Sequence, residues 1–181
     1  AVVGLFVLVD RRARARGLPR KAFGPGPLKW MYVTVGVLMA ATMVDMYVPL
    51  FAQHLGGLVP AAAGFFGAVL AVGWTLSEIV SASASRTGTI VRVVAAAPVV
   101  MAIGLALGAL ALGDDLRWPL LVAWAVGLFI AGCGVGMAWP HLSAWIMGAV
   151  EDPVEAGTAA AAINTVQLIS GAFGAGLAGG G

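Results

Sequence analysis

Residues 118–147 read WPLLVAWAVGLFIAGCGVGMAWPHLSAWIM and contain no Lys, Arg, Asp or Glu. A helix of about 20 predominantly apolar residues is long enough to cross the roughly 30 Å hydrocarbon core of a bilayer. Lipid offers the backbone no hydrogen-bond partners, so an apolar run of this length must form a helix and not an open sheet. The sequence therefore predicts that this segment is a transmembrane helix.

The rest of the chain repeats this pattern, and the predicted spans are 28–53, 61–81, 91–112, 118–147 and 157–181. With 61% hydrophobic residues, only 10% charged residues and a mean hydropathy of +0.99, the chain could not cover the surface of a soluble domain. The predicted fold class is all-α, a polytopic transmembrane helical bundle of about five full spans over residues 28–181. The expected partner of this bundle is the lipid bilayer that surrounds it.

The first 27 residues have a different composition from the bundle. Residues 1–9 are apolar but too short to span, and basic residues follow them, whereas a secretory signal has basic residues in front. We interpret residues 1–9 as the end of a preceding transmembrane helix. Residues 10–27 combine basic residues with prolines and glycines, which predicts a linker. The chain is thus expected to be a fragment whose N-terminal half is missing.

The ten Lys and Arg residues predict the orientation. All of them except Arg117 lie in alternate loops on one side of the predicted bundle, most of them in the linker. Cytoplasmic loops of membrane proteins carry an excess of Lys and Arg. The basic linker is therefore predicted to be cytoplasmic, and the chain to be a multi-pass protein of the cell (plasma) membrane.

Small residues recur four positions apart within the spans. The pairs are Gly104 with Gly108, Gly132 with Gly136, and Ala172 with Gly176 and Gly180. Such pairs let two helix backbones approach closely in lipid, although glycine is also simply common in membrane helices. Prolines within the spans predict helix kinks at Pro49, Pro98 and Pro140.

Asp45 is the strongest candidate for a functional side chain. It lies about 12 Å before the outer end of the first span, where a carboxylate must face protein or water, take a partner or stay protonated. Pro49 should remove the helical hydrogen bond to the carbonyl of Asp45, and Thr34 and Thr42 should share its face. Asp45 is a proton-coupling or substrate candidate, or else an interfacial residue that shapes the helix end.

Other polar side chains within the spans leave alternatives open. Glu78 can reach water or pair with Arg86 at the inner interface. Asn164 and Gln167 either bond to a neighbouring helix or, together with Thr42, line a substrate path. His141 and His54 are expected to be solvated or capping residues, because neither has a second ligand at metal spacing.

Several classes of function have no support in the sequence. We find no nucleophile elbow, no phosphate-binding loop and no metal cluster, so the chain is predicted not to be an enzyme and to need no cofactor or metal. Cys133, the single cysteine, is expected to serve in packing. The basic linker has no folded scaffold to present it to nucleic acid, so no nucleic-acid partner is expected.

Four stretches resemble the C-terminal half of major facilitator superfamily transporters, especially their drug/proton antiporter branches. They are the basic linker, the outer turn from Leu55 to Gly64, the glycine-rich run from Gly132 to Pro140, and the run from Gly157 through Asn164 to Gly176. The loop from Ser81 to Arg92 is similar to the family's cytoplasmic motif but retains only Arg86 and Gly88, with serines at the positions of its first glycine and its aspartate.

The resemblance implies helices seven to eleven of a 12- or 14-helix transporter. It implies alternating access by two six-helix halves around a site near the midplane, within reach of Asp45, Asn164 and Gln167. The expected function is secondary active transport, namely proton-coupled efflux of small, partly hydrophobic compounds by an antiporter, with protons and a small-molecule substrate as partners. The alternative is a non-transporting membrane scaffold or assembly subunit.

Overall fold

The computed structural model describes residues 26–113, 117–149 and 153–178, and in the last range the side chains of residues 160–176. Within these ranges the chain is all-α, with short turns and no strand. The predicted end of a preceding helix, nearly all of the predicted linker and Gly180 lie outside the described residues. The helices are α1 (Leu28–Thr42), α2 (Val48–His54), α3 (Pro60–Gly67), α4 (Val69–Ala82), α5 (Thr87–Ala111), α6 (Trp118–Gly148) and α7 (Pro153–Ala178).

Among the described residues, four helical elements are long and apolar enough to cross a membrane. They are Leu28–His54, in which a 3₁₀ turn (Met43–Tyr47) joins α1 to α2, then Pro60–Ala82, formed by α3 and α4, and finally α5 and α6. α7 occupies most of the range predicted for the fifth span and has 26 residues. Pro60 and Pro153 begin their helices, where the missing N–H of a proline costs no hydrogen bond.

α6 is the central helix of the bundle. α4 and α5 pack along it, α1 packs mainly against α7 and also contacts α6, and α2 packs against α3. The buried core follows these contacts and includes Leu38, Val135, Leu142 and Ile146, each exposed by no more than 1%. The polar groups described below are therefore positioned by two helix packings, α4 with α6 and α1 with α7.

Glycines allow the close packing around α6. A Cβ atom on Gly132 would collide with the carbonyl oxygen of Leu70, and one on Gly136 with that of Trp74, both in α4. A Cβ on Gly104 of α5 would likewise collide with the backbone of α6, at the nitrogen of Ala131. These positions belong to the small-residue pairs that the sequence indicated, and backbone contact at such pairs is what holds helices together in lipid.

Within the described residues, the third small-residue stripe does not lie at the contact of α7 with the first span. Ala172 is exposed, and a Cβ on Gly176 would meet no atom of the described chain within 4 Å. Gly174 instead lies against the carbonyl of Ala40 in α1, and Gly171 faces the sulfur of Met43. In a helix with so many small residues, spacing alone does not indicate which side faces the partner, because several stripes satisfy the same pattern.

The three prolines within the spans have different local surroundings. Pro98 and Pro140 lie inside helices that continue on both sides of them. Pro49 is in the first turn of α2, directly after the 3₁₀ turn that interrupts the first span. Of these three prolines, only Pro49 lies where the α-helix stops and restarts, and Asp45 lies within that interruption.

Candidate functional site

The backbone around Asp45 is a 3₁₀ turn. The N–H of Val48 donates to the carbonyl oxygen of Asp45, which is the i+3 pairing of such a turn. The expectation that Pro49 leaves this carbonyl free is therefore wrong. Pro49 has no N–H group that could donate to this oxygen from position i+4. In the 3₁₀ turn the N–H of Val48, one residue earlier, donates to the same oxygen instead. The turn also advances about 120° per residue, so the register linking Thr34 to Asp45 is not that of a straight α-helix.

The carboxyl group of Asp45 lacks a partner on one side. Its Oδ1 atom is buried and has no hydrogen-bond partner within the described residues, while the side chain as a whole is half-buried. The turn that carries it packs against α7, since the Tyr47 hydroxyl donates to the carbonyl oxygen of Ala175 at 3.1 Å. An unpaired polar atom inside a protein costs free energy, so such atoms are rare and often mark function.

Two of the three substrate-path candidates meet at Met39. Thr42 is buried and its hydroxyl donates to the Met39 carbonyl at 2.7 Å. From α7, Nε2 of Gln167 contacts Sδ of Met39 at 3.5 Å. Asn164 lies one turn earlier on α7 and is exposed. Thr42 and Gln167 thus both contact Met39, one through its backbone carbonyl and the other through its sulfur, while Asn164 lies on an open face of the described bundle.

Glu78 is held by a tryptophan and not by an arginine. Nε1 of Trp74 donates to Oε2 of Glu78 at 2.9 Å, one helical turn apart in α4. Arg86, which was offered as a possible partner, is exposed, and its carbonyl oxygen accepts from the N–H groups of Thr89 and Ile90 at the start of α5. At Gly88, a Cβ would meet nothing within 4 Å.

His141 is buried, which contradicts the expectation of a solvated or capping residue. Its Nε2 lies 2.9 Å from Oγ of Ser81 and 3.1 Å from the Ser81 carbonyl oxygen, and Oγ of Ser81 also donates to the carbonyl of Met137 at 2.6 Å. The single hydroxyl proton of Ser81 is thereby used, so Nε2 must carry a proton and donate. Helical spacing places Ser81 on one face of its helix with Trp74 and Ser77, and this polar face was the sequence signal that could have indicated a partner for His141. In the described part of the chain, no three His, Cys, Asp or Glu side chains group as a metal site.

Removing the Ser81 hydroxyl should weaken the packing of α4 on α6. We expect Ser81→Ala to lower stability by about 1–3 kcal/mol, because the buried Nε2 of His141 and the Met137 carbonyl lose a partner together. Ser83→Ala is the matched control, since the Ser83 hydroxyl is exposed and bonds only within its own helix, to Val80. Thermal unfolding of the purified protein in detergent measures both variants. Equal midpoints for the two would contradict this role of Ser81.

Comparison with known proteins gives two curated relatives in Mycobacterium tuberculosis. Proteins of strains CDC 1551 and H37Rv, each described as a probable multidrug-efflux transporter, are 58% identical to this chain over 178 residues. The alignment covers 98% of this chain and 38% of each relative, so the chain spans well under half of their length. No solved structure matches the chain.

The family comparison covers nearly the whole chain. The model of the Major Facilitator Superfamily matches residues 1–175, which include α1 to α6 and most of α7. The bundle of long apolar helices is the architecture that such a match requires, and this family consists of transporters and not enzymes. The chain belongs to the major facilitator superfamily.

Proposed function

We propose that this chain is part of a secondary active transporter that exports small, partly hydrophobic compounds in exchange for protons. The family and the description of the two mycobacterial relatives as probable multidrug-efflux transporters support export. The 38% coverage of those relatives supports a missing N-terminal half that would complete the cavity. Alternating access of the two halves around that cavity is the mechanism we propose.

The observation that carries proton coupling is the unpaired Oδ1 of Asp45. A charged carboxylate with an unsatisfied oxygen inside the membrane is costly, while a protonated carboxyl group is neutral and can be buried at lower cost. Asp45 can therefore take up a proton when water reaches it from one side and release it when water reaches it from the other. This exchange is the elementary step of proton-coupled transport.

The backbone around Asp45 supports a gating movement. The 3₁₀ turn divides the first span into α1 and α2, and 3₁₀ segments within helices often mark hinges. Tyr47 anchors the turn to α7 through its hydroxyl, so a change in the turn would move α7 as well. We propose that protonation of Asp45 and rearrangement of this turn are coupled.

The proposed substrate path lies beside Met39, where α1 meets α7. Gln167 contributes an amide from α7 and Thr42 a hydroxyl from α1, both within contact of Met39, whose thioether is soft and adaptable. Asn164, on the open face of α7, would complete this path against the N-terminal half. Apolar walls with few polar groups suit partly hydrophobic ligands.

We propose the orientation of the chain in the membrane from the positions of its basic residues. Arg86 and Arg92 lie in and beside the turn between α4 and α5, and the linker carries most of the remaining basic residues, which favours a cytoplasmic location for both. Arg117 precedes α6 on the opposite side. The plasma membrane is the location that we propose, since the two relatives are described as probable multidrug-efflux transporters.

A transport assay in liposomes tests this function. The complete gene product that contains this chain is reconstituted into vesicles with an acidic interior and trapped DNA, and the uptake of ethidium is followed by its fluorescence on that DNA. We expect uptake that stops when nigericin collapses the pH gradient. Uptake that is unchanged by nigericin would contradict proton coupling. Uptake no greater than in protein-free vesicles would contradict transport and support the alternative of a membrane scaffold. Membership of the family does not favour that alternative.

A further inference from the structure

Methionines are concentrated in the first span, where three of them line up. Met39, Met43 and Met46 are spaced by four and then three residues, across the boundary between α1 and the 3₁₀ turn. An α-helix places residues four apart on one side, and a 3₁₀ turn does the same for residues three apart. The three thioether side chains therefore lie along one side of the span.

The sulfur atoms of Met39 and Met43 both face α7. Nε2 of Gln167 contacts Sδ of Met39 at 3.5 Å, and a Cβ atom on Gly171 would lie 3.3 Å from Sδ of Met43. Gln167 and Gly171 are one helical turn apart, which places the two sulfur atoms roughly 6 Å apart along the contact of α1 with α7. Because methionine has three rotatable side-chain bonds, rotations of these bonds can bring both sulfur atoms to one ion.

The surroundings of each sulfur atom leave it able to act as a ligand. A thioether sulfur carries two lone pairs, and the amide of Gln167 uses one of those of Met39. The sulfur of Met43 faces a glycine, which carries no side chain, and Met43 is half-buried. Met46 is 68% exposed, so its flexible side chain can turn toward Met43. Together the three thioethers form a possible set of ligands between α1, the 3₁₀ turn and α7.

We propose that Met39, Met43 and Met46 bind a soft monovalent metal ion, copper(I) or its chemical analogue silver(I). Thioether sulfur is a soft ligand that prefers such ions, whereas magnesium, calcium and similar hard ions prefer oxygen. Thioethers are also neutral, so they cannot offset the larger cost of burying a divalent ion in an apolar span. The proposal goes beyond the efflux of organic compounds and does not depend on it, because the ligands all belong to the first span.

Nuclear magnetic resonance of the complete gene product in detergent tests the proposal. The methionine methyl groups are labelled with ¹³C, and silver nitrate in chloride-free buffer is the probe. Thiols are first blocked with N-ethylmaleimide, because cysteines such as Cys133 also bind soft ions. We expect the methyl resonances of Met39, Met43 and Met46 to shift together at stoichiometric silver(I), and magnesium to shift none of them. Met101, which is 2% exposed in α5, is the internal control and should not shift.

Leucine variants distinguish a ligand from a packing residue. Leucine is apolar and close to methionine in volume, so Met39→Leu and Met43→Leu should keep the fold. Each variant removes one sulfur and should weaken silver(I) binding by about tenfold or more. Met31→Leu is the matched control, because Met31 is half-buried on the same helix but lies two turns before Met39, and its affinity should stay that of the wild type.

Gly171→Ala tests the space beside Met43 without removing a ligand. The added methyl group would lie 3.3 Å from Sδ of Met43, so this variant should also weaken silver(I) binding. The position of the Met101 resonance in every variant reports whether the fold is retained.

Two results would overturn the proposal. One is a wild type whose Met39 and Met43 resonances do not shift with silver(I), and the other is an equal loss of affinity in Met31→Leu and Met43→Leu. Uptake of ethidium by the same preparation is measured separately. Uptake by a protein that does not bind silver(I) would leave the transport function standing, and silver(I) binding without uptake would leave the ion site standing.

Discussion

Asp45→Asn is expected to abolish proton-driven uptake of ethidium, so that uptake does not exceed that of protein-free vesicles. Asparagine has nearly the same shape and polarity as aspartic acid, but it cannot take up or release a proton. Because Oδ1 of Asp45 already lacks a partner within the described residues, the change removes no hydrogen bond from it. The loss would therefore reflect proton chemistry and not disrupted packing.

Two further measurements separate coupling from folding. Exchange of ethidium across vesicles without a pH gradient needs no net proton movement, so Asp45→Asn should retain it. Asp45→Glu keeps a carboxyl group on a longer side chain, and we expect it to keep part of the gradient-driven uptake. If Asp45→Asn transports with the same dependence on the pH gradient as the wild type, Asp45 is not the coupling residue.

Gly132→Ala is expected to cause a large loss of stability. The new Cβ would collide with the Leu70 carbonyl oxygen and lie 2.9 Å from the Trp74 nitrogen. Both are backbone atoms, which cannot rotate away as a side chain can. α4 and α6 must then separate, at a cost of about 1–3 kcal/mol or more, and the Ser81 to His141 contact between the same helices should weaken with them.

Gly64→Ala is the matched control for this substitution. Gly64 is also helical, and a Cβ there would meet nothing within 4 Å. Alanine favours the helix over glycine by up to about 1 kcal/mol, so this variant should be neutral or slightly more stable. The midpoint of thermal unfolding in detergent compares the two variants. A Gly132→Ala midpoint equal to that of Gly64→Ala would mean that α4 and α6 do not pack as closely as described.

Three residues show which features of the candidate site could be predicted from the sequence and which could not. Asp45 could be selected because any carboxylate in an apolar span is unusual, and its unpaired oxygen agrees with that selection. Glu78 was expected to reach water or to pair with Arg86, whereas the structure gives its carboxylate the indole Nε1 of Trp74 in the same helix. His141 was expected to be solvated because a lone histidine carries no pattern that reveals its burial against Ser81.

The sequence by itself determined the helices and the fold class, because the apolar runs are longer than a bilayer is thick and the backbone in lipid has to bond within each run. Only the tertiary structure decided which faces meet. Glycine and alanine occur at so many positions that several stripes satisfy the same spacing. The structure shows that α7 meets the first span through Gly171 and Gly174, while Ala172 and Gly176 lie on another face. The surroundings of Asp45 and the contact of His141 depend on which faces meet, since α7 packs against the turn that carries Asp45 and α4 supplies Ser81 to His141.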